Sequence, residues 1–319
     1  MDIFEAIKNK NLDQVKSIVN QPGFDINKIG SNRKTALMYA SGLGYSDIVK
    51  ILVQNGADVN KADYYGTTSL MEASKKNHLD TVKYLVQQHA DVNINNNYGQ
   101  TALIVASKEG HLEIVQVLVK NDAYVNKADD YGTTSLMEAS KEGHLDIVKY
   151  LVEVRKDGVN KTDNNGETAL IYAIRIVDNL NVIQFLVEHG VDLNKTNNYG
   201  ATALMKACWI GDLEIVKFLV DHGADVNIID NEGQTAITLA SKYNHSNIVK
   251  FLRKYISSII KIQKAFRKSR EYAAWRYSPE KMKKEGFFEQ PDFVNWRTGF
   301  GKSKNSLRSL MADIKFLSK

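Results

Sequence analysis

Apolar and polar positions recur along this chain with a long period. Thr followed by Ala or Ser and then Leu or Ile stands at Thr35, Thr68, Thr101, Thr134, Thr168, Thr202 and Thr235, in steps of 33 or 34 residues. Asparagine keeps step at Asn27, Asn60, Asn93, Asn126, Asn160, Asn194 and Asn227, each after Val, Ile or Leu. Alanine does so at Ala40, Ala73, Ala106, Ala139, Ala173, Ala207 and Ala240. Gly66, Gly99, Gly132, Gly166, Gly200 and Gly233 each follow an Asp or Asn by three residues. A fixed period of this length is the mark of stacked supersecondary units.

Each recurring residue predicts a local element. An Asp or Asn three residues before a Gly makes a loop tip, the Asx side chain bonding nearby backbone while Gly takes a positive φ. The Thr two residues on caps a helix, and the Leu37/Ala40 spacing buries one narrow face of it where a small residue allows close approach. Apolar pairs such as Ile48/Val49, Ile114/Val115, Ile147/Val148 and Ile215/Val216, three or four residues before Leu52, Leu118, Leu151 and Leu219, predict a second, amphipathic helix. Gly56 and Gly223 end it as C-caps. The segment from Ile3 to Asn27 has the helix pair without the Thr-Ala-Leu start, as a terminal capping unit over 1–30 should.

Helix, helix and turn tip at this period resemble the ankyrin repeat, whose Thr-Pro-Leu-His-x-Ala signature the Thr-Ala-Leu copies approach. The resemblance covers 1–254 and implies an all-α solenoid of about eight helix-turn-helix units with hairpin-like loop tips. Its departures are specific. Every Pro of the signature is Ala or Ser, and its His is Met38, Met71, Ile104, Met137, Ile171, Met205 or Thr238, so hydrophobic contact is expected to replace hydrogen bonding there. Arg33 stands at the first Gly position, which predicts an irregular first tip, and one-residue insertions fall near Arg155 and around 176–181. Residues 61–86 and 127–152 differ only at Tyr64/Asp130, Lys76/Glu142, Asn77/Gly143 and Thr81/Ile147, which reads as a duplication. Abundant Asn, Lys and Ile suit AT-rich coding DNA and, with the Thr-Ala-Leu-Met wording, resemble the ankyrin proteins expanded in giant DNA viruses such as mimivirus.

Composition narrows the setting. The 319 residues are 43% hydrophobic and 25% charged, enough for a core. No apolar run approaches the roughly 20 residues of a membrane span. The start, Met-Asp-Ile-Phe-Glu-Ala-Ile-Lys, reads as an amphipathic helix rather than a leader. The single cysteine, Cys208, excludes an internal disulfide and suits a reducing compartment, cytoplasm or nucleus, of the host cell if the protein is viral. Charge divides unevenly: residues 253–319 hold 17 Lys/Arg against 6 Asp/Glu, a net +11, which leaves 25 against 31, a net −6, for residues 1–252.

No constellation for catalysis, metal or cofactor breaks the repeat. His78, His111, His144 and His245 share one repeat position, and units about 10 Å apart cannot converge on a tetrahedral metal, so they read as scaffold. His89, His189 and His222, which recur beside the second helix end, read likewise, and Cys208 reads as a buried packing thiol. The stretch 298–303, Thr-Gly-Phe-Gly-Lys-Ser, lacks the first Gly of a phosphate loop, since Trp296 stands there. The expectation is therefore a non-enzymatic, monomeric protein that works by binding one or more proteins.

In the family this chain resembles, loop tips and the exposed side of the first helices form the binding surface. The resemblance places Tyr64, Tyr65, Tyr98, Tyr131 and Tyr199 at the tips and Lys75, Lys76, Lys108, Glu109, Lys141, Glu142, Trp209 and Tyr243 on the helix side. Tyrosine offers large contact area at small entropic cost, and a row of them favours partner binding over mere cover. The Asn60 and Asn126 position, hydroxylated in some members of that family, more simply satisfies loop backbone groups.

Past Lys254 the period ends and a basic amphipathic helix is predicted over 255–277, with Ile256, Ile259, Gln263 and Phe266 on one face. Ile262, Gln263, Phe266, Arg267 and Trp275 resemble in part the IQ motif that binds calmodulin; Tyr272 and Lys268 depart from it. Three readings stay open for this helix: a cap on the array, a calmodulin-type target, or a binder of nucleic acid or an anionic membrane surface. Residues 278–319 form a basic, aromatic tail of no assigned fold.

Overall fold

The computed structural model describes residues 2–30, 33–175 and 179–268, with side chains described as far as Lys261. Among the described residues the secondary structure is helical, apart from isolated bridges at the tips. The helices come in pairs: α1 (Ile3–Lys8) and α2 (Leu12–Val19), α3 (Ala36–Leu43) and α4 (Ser46–Gln54), α5 (Ser69–Lys75) and α6 (Leu79–Gln87), α7 (Ala102–Glu109) and α8 (Leu112–Lys120). There follow α9 (Ser135–Lys141) and α10 (Leu145–Val154), α11 (Ala169–Ile174) and α12 (Leu180–Glu188), α13 (Ala203–Ile210) and α14 (Leu213–Asp221), α15 (Ala236–Lys242) and α16 (Ser246–Lys268). The chain falls into two compact units, Met1–Val191 and a second that begins at Asp192. In the first unit, α1, α3, α5, α7, α9 and α11 pack side by side in one layer and their partners in another; in the second, α13 packs on α15 and α14 on α16. This is the helical repeat solenoid that the period predicts.

Local chemistry starts and stops the helices. Each of the seven threonines stands at an N-cap, its hydroxyl accepting a hydrogen bond from the backbone N–H three residues on, as in Thr35 to Met38 at 3.2 Å. Such a cap contributes about 1 kcal/mol. Gly110 ends α7 at φ +82°, and a Cβ there would lie 2.6 Å from His144 Cε1, so the left-handed turn and the incoming ring both require glycine.

Burial of the first helices exceeds the narrow face expected of them. α7 buries Ala102, Leu103, Ile104, Ala106 and Ser107, because α5 and α9 flank it and α8 covers a third side. α8, open to solvent on one face, buries only Ile114, Val115 and Leu118. At the position of the signature His, Met38, Met71, Ile104, Met137, Ile171 and Met205 are buried. Thr238 is the exception: it is exposed, and its hydroxyl accepts the Thr235 N–H at 2.7 Å. No described helix pair follows α15 and α16 to cover it, and the polar side chain suits that end of the stack.

The described ends of the first tip close as those of later tips do, although Arg33 stands at the Gly position; residues 31–32, within the tip, lie outside the described residues. Arg33 N donates to Gly30 O at 2.9 Å and Gly30 N to Lys34 O at 2.9 Å, the same pair that Gly66, Asp63 and Thr67 make. Arg33 adopts φ +64° to do so. The left-handed backbone costs about 1 kcal/mol, and the guanidinium reaches the next tip, where it donates to the Tyr65 hydroxyl at 2.7 Å. The insertion near Arg155 appears as a 3-10 turn, Lys156–Gly158, after an α10 of 10 residues. Of the second insertion, residues 176–178 lie outside the described residues.

Candidate functional site

Two ladders of side chains hold neighbouring repeats in register. Asn93 accepts the Tyr124 N–H at 2.9 Å and donates to Asp122 O at 3.0 Å; Asn27 and Asn60 accept from Asp58 and Asp91, each at 2.8 Å. The asparagines thus satisfy loop backbone, but in the following repeat rather than their own. On the other side His78 Nε2 reaches Gly42 O at 3.1 Å, His111 reaches Lys75 O at 3.2 Å and His144 reaches Lys108 O at 3.0 Å. Each ring binds an otherwise orphaned carbonyl at the end of the preceding first helix. In the second unit Asn194 and Asp225 at 2.8 Å, and His245 and Trp209 O at 3.1 Å, repeat both contacts. His189 and His222 instead bond Phe185 O and Phe218 O at 2.7 Å beside the Phe rings.

The tips form a third ladder. Asn97 N donates to Tyr65 O at 2.9 Å, Asp130 N to Tyr98 O at 3.0 Å and Asn164 N to Tyr131 O at 2.9 Å. Asp63, Asn96 and Asp129 each tie two N–H groups of their own tip. At Gly99 a Cβ would stand 2.5 Å from Asp130 N, so glycine lets one tip rest on the next. The backbone is fixed and the rings are not covered: Tyr64 is 74% exposed, Tyr98 50% and Tyr131 64%. Tyr65 is more engaged, its hydroxyl 2.7 Å from Arg33 Nη1 and its ring edge-on to Tyr64. In the second unit Tyr199 stands alike, exposed, with its carbonyl bonded by Asn231 N at 2.9 Å.

On the helix side Lys75, Lys76, Lys108 and Glu109 are exposed at the ends of α5 and α7. Lys141 and Glu142 are half-buried and paired with each other at 3.3 Å, so they are less available. Trp209 and Tyr243, in the second unit, meet at 90° with ring centroids 6.0 Å apart. Sequence reading missed Arg33, whose guanidinium also lies over the Tyr64 ring at 5.8 Å, and Tyr124, exposed where Asp58 and Asp91 stand in earlier repeats. A departure from the repeat consensus was the available signal for both.

α16 runs unbroken from Ser246 through Lys268, so 246–254 and the basic stretch after it share one helix. Leu252 is buried, Ile256 and Ile259 half-buried and Ile260 exposed. Ile262, Gln263, Phe266 and Arg267 lie on that helix, but their side chains are outside the described residues, as are Trp275, the 298–303 stretch and the whole of 278–319.

Buried titratable groups serve packing. Cys208 is fully buried and burial pushes its thiol up to about 12. Tyr172, pushed up to about 12 chiefly by burial, donates to Asp163 Oδ2 at 2.9 Å beneath the Arg175 guanidinium, which also pairs with Glu167. Among the described residues no group of three His, Cys, Asp or Glu converges for a metal, and no helix is long and apolar enough to cross a membrane.

No curated protein matches the chain. A family model described as ankyrin repeats (3 copies) matches it in overlapping placements at residues 3–96, 70–163, 126–197, 154–230 and 176–264. These placements run across most of the 319 residues and coincide with the helix pairs and tips described above, and the chain belongs to the ankyrin-repeat family.

Proposed function

We propose that this protein is a non-enzymatic scaffold or adaptor that binds a partner protein through its tips and first-helix ends. Ankyrin repeats are generally protein-interaction modules. The observation that carries the reading is the ladder of tips: Tyr98 and Tyr131 have carbonyls bonded by the next tip while their rings stand in solvent. Rigid, exposed aromatics bind at small entropic cost. A partner purified from cell lysate on the full chain is measured by calorimetry against Tyr98→Ala/Tyr131→Ala. Affinity should fall at least about ten-fold, since two central aromatic anchors are worth more than 1.4 kcal/mol together. Equal affinity with an unchanged melting curve removes the tips from the site.

A second reading rests on α16, which continues past Lys254 through the basic stretch as far as Lys268. There the chain would take a calmodulin-like protein or, through the +11 segment, a polyanion such as nucleic acid or an anionic membrane. Calcium-dependent binding lost on Phe266→Ala/Trp275→Ala supports calmodulin; a steep fall with salt supports the polyanion. An intracellular monomer fits the lone buried thiol, and a giant-virus origin fits the wording of the repeats.

A further inference from the structure

Three departures from the repeat consensus meet at one place in the second unit. At the position of Trp209 every other Thr-started copy carries Gly, Lys or Arg; at the position of Lys206 no other copy has a cation; at the position of Tyr243 no other copy has an aromatic residue. Repeats that share a packing environment act as controls for one another, and a residue that breaks the consensus without gaining burial answers to something other than packing. Trp209 and Tyr243 remain 43% and 42% exposed.

Their geometry is that of a corner. The rings stand at 90°, Lys206 Nζ lies 4.1 Å from the centre of the Trp209 ring and Lys242 Nζ lies 5.9 Å from that of Tyr243. The His245 contact to Trp209 O at 3.1 Å ties the two helix ends together beneath them. An apolar angle beside two ammonium groups suits a bulky apolar side chain with a carboxylate close to it in sequence. It suits a stacked base less well, because an ammonium already covers one face of the indole.

We propose that Trp209, Tyr243, Lys206 and Lys242 bind an acidic peptide segment through one large apolar side chain, a reading that rests on the protein-binding function proposed above. The corner is tested with a phage library of random dodecapeptides panned in parallel on the full chain and on its Trp209→Lys/Tyr243→Lys variant. That variant carries the lysine other repeats use at Trp209, and its melting curve is checked first. Enriched peptides should place Asp or Glu within a few residues of Leu, Phe or Trp. Synthesised, they should bind the variant about ten-fold more weakly although it carries two added positive charges, as expected for loss of aromatic anchors. Lys242→Glu should weaken them too.

Equal binding by wild type and variant overturns the proposal, as does enrichment of basic peptides. Tighter binding of an oligothymidylate that the variant loses overturns it in favour of nucleic acid. Peptides lost on Tyr98→Ala/Tyr131→Ala but kept on the corner variant leave the scaffold function standing and remove the corner; no enrichment on any form removes both.

Discussion

Lys34 Nζ lies 2.6 Å from Glu72 Oε1, an ion pair from the first tip to α5 that the duplicated copy has lost. Glu138 repeats Glu72 in the second copy of the block, but the residue standing 66 positions after Lys34 is Gln100. Glu138 Oε2 is buried without a hydrogen bond, with the Lys141 ammonium 3.8 Å away. Elsewhere the duplication adjusted to its neighbours: Thr81 bonds Ser46 at 3.1 Å, whereas Ile147, in its place, follows a repeat with Leu112 in place of Ser46. Gln100→Lys should therefore stabilise the protein by about 1 kcal/mol, and Lys34→Gln should destabilise it by about as much, since a poorly solvated carboxylate gains or loses its cation. Urea midpoints of the two variants check this. An unchanged midpoint for Gln100→Lys would mean that Lys141 suffices.

Asn93→Ala removes two hydrogen bonds between consecutive repeats, to Tyr124 N and Asp122 O. The expected loss is about 2 kcal/mol, because each orphaned backbone group is costly. Hydrogen exchange should show the Tyr124 amide losing protection, with the α3 and α5 amides little changed.

Tyr172 gives the first unit an alkaline limit. Its hydroxyl is held protonated by burial, with a folded pKa of about 12 against an ordinary value of 10.0. A raised folded value means that the stabilisation is complete below pH 10 and is lost as pH rises toward 12. Asp163 favours the neutral phenol as well, while Arg175 opposes it. Tyr172→Phe should cost about 1 kcal/mol at pH 8, where the bond to Asp163 is intact, and the gap to wild type should close as pH rises above 10. Urea titrations across that range measure it; a constant gap would contradict the assignment.

Cys208 should react with a disulfide reagent only when the second unit opens. The side chain is fully buried and the thiol is held neutral by its surroundings, so both access and thiolate are lacking. At pH 8 the labelling rate should rise with urea in step with unfolding. Fast labelling of the native protein would show that α13 frays.

Much of the fold was legible in the amino-acid order because its cues are local. The Thr caps, the Asx-to-Gly tips and the apolar pairs of the second helices act within about one turn of chain, and each copy states them again. Period alone therefore determined the helix pairs and their order. What only the tertiary structure decided lies between repeats, at separations of about 30 to 36 residues, where Asn93 meets Tyr124, His144 meets Lys108 and Asn97 meets Tyr65. Arg33 shows the difference: its residue type argued for an irregular tip, yet the bonds from Arg33 N to Gly30 O and from Gly30 N to Lys34 O close the described ends of that tip as in later repeats. The candidate tyrosines were named by their tip positions, but stacking determined which rings stay free, leaving Tyr98 and Tyr131 open and engaging Tyr65 with Arg33. A side chain's availability depends on what the next repeat places against it, and that is set by packing across the stack rather than by the repeat it belongs to.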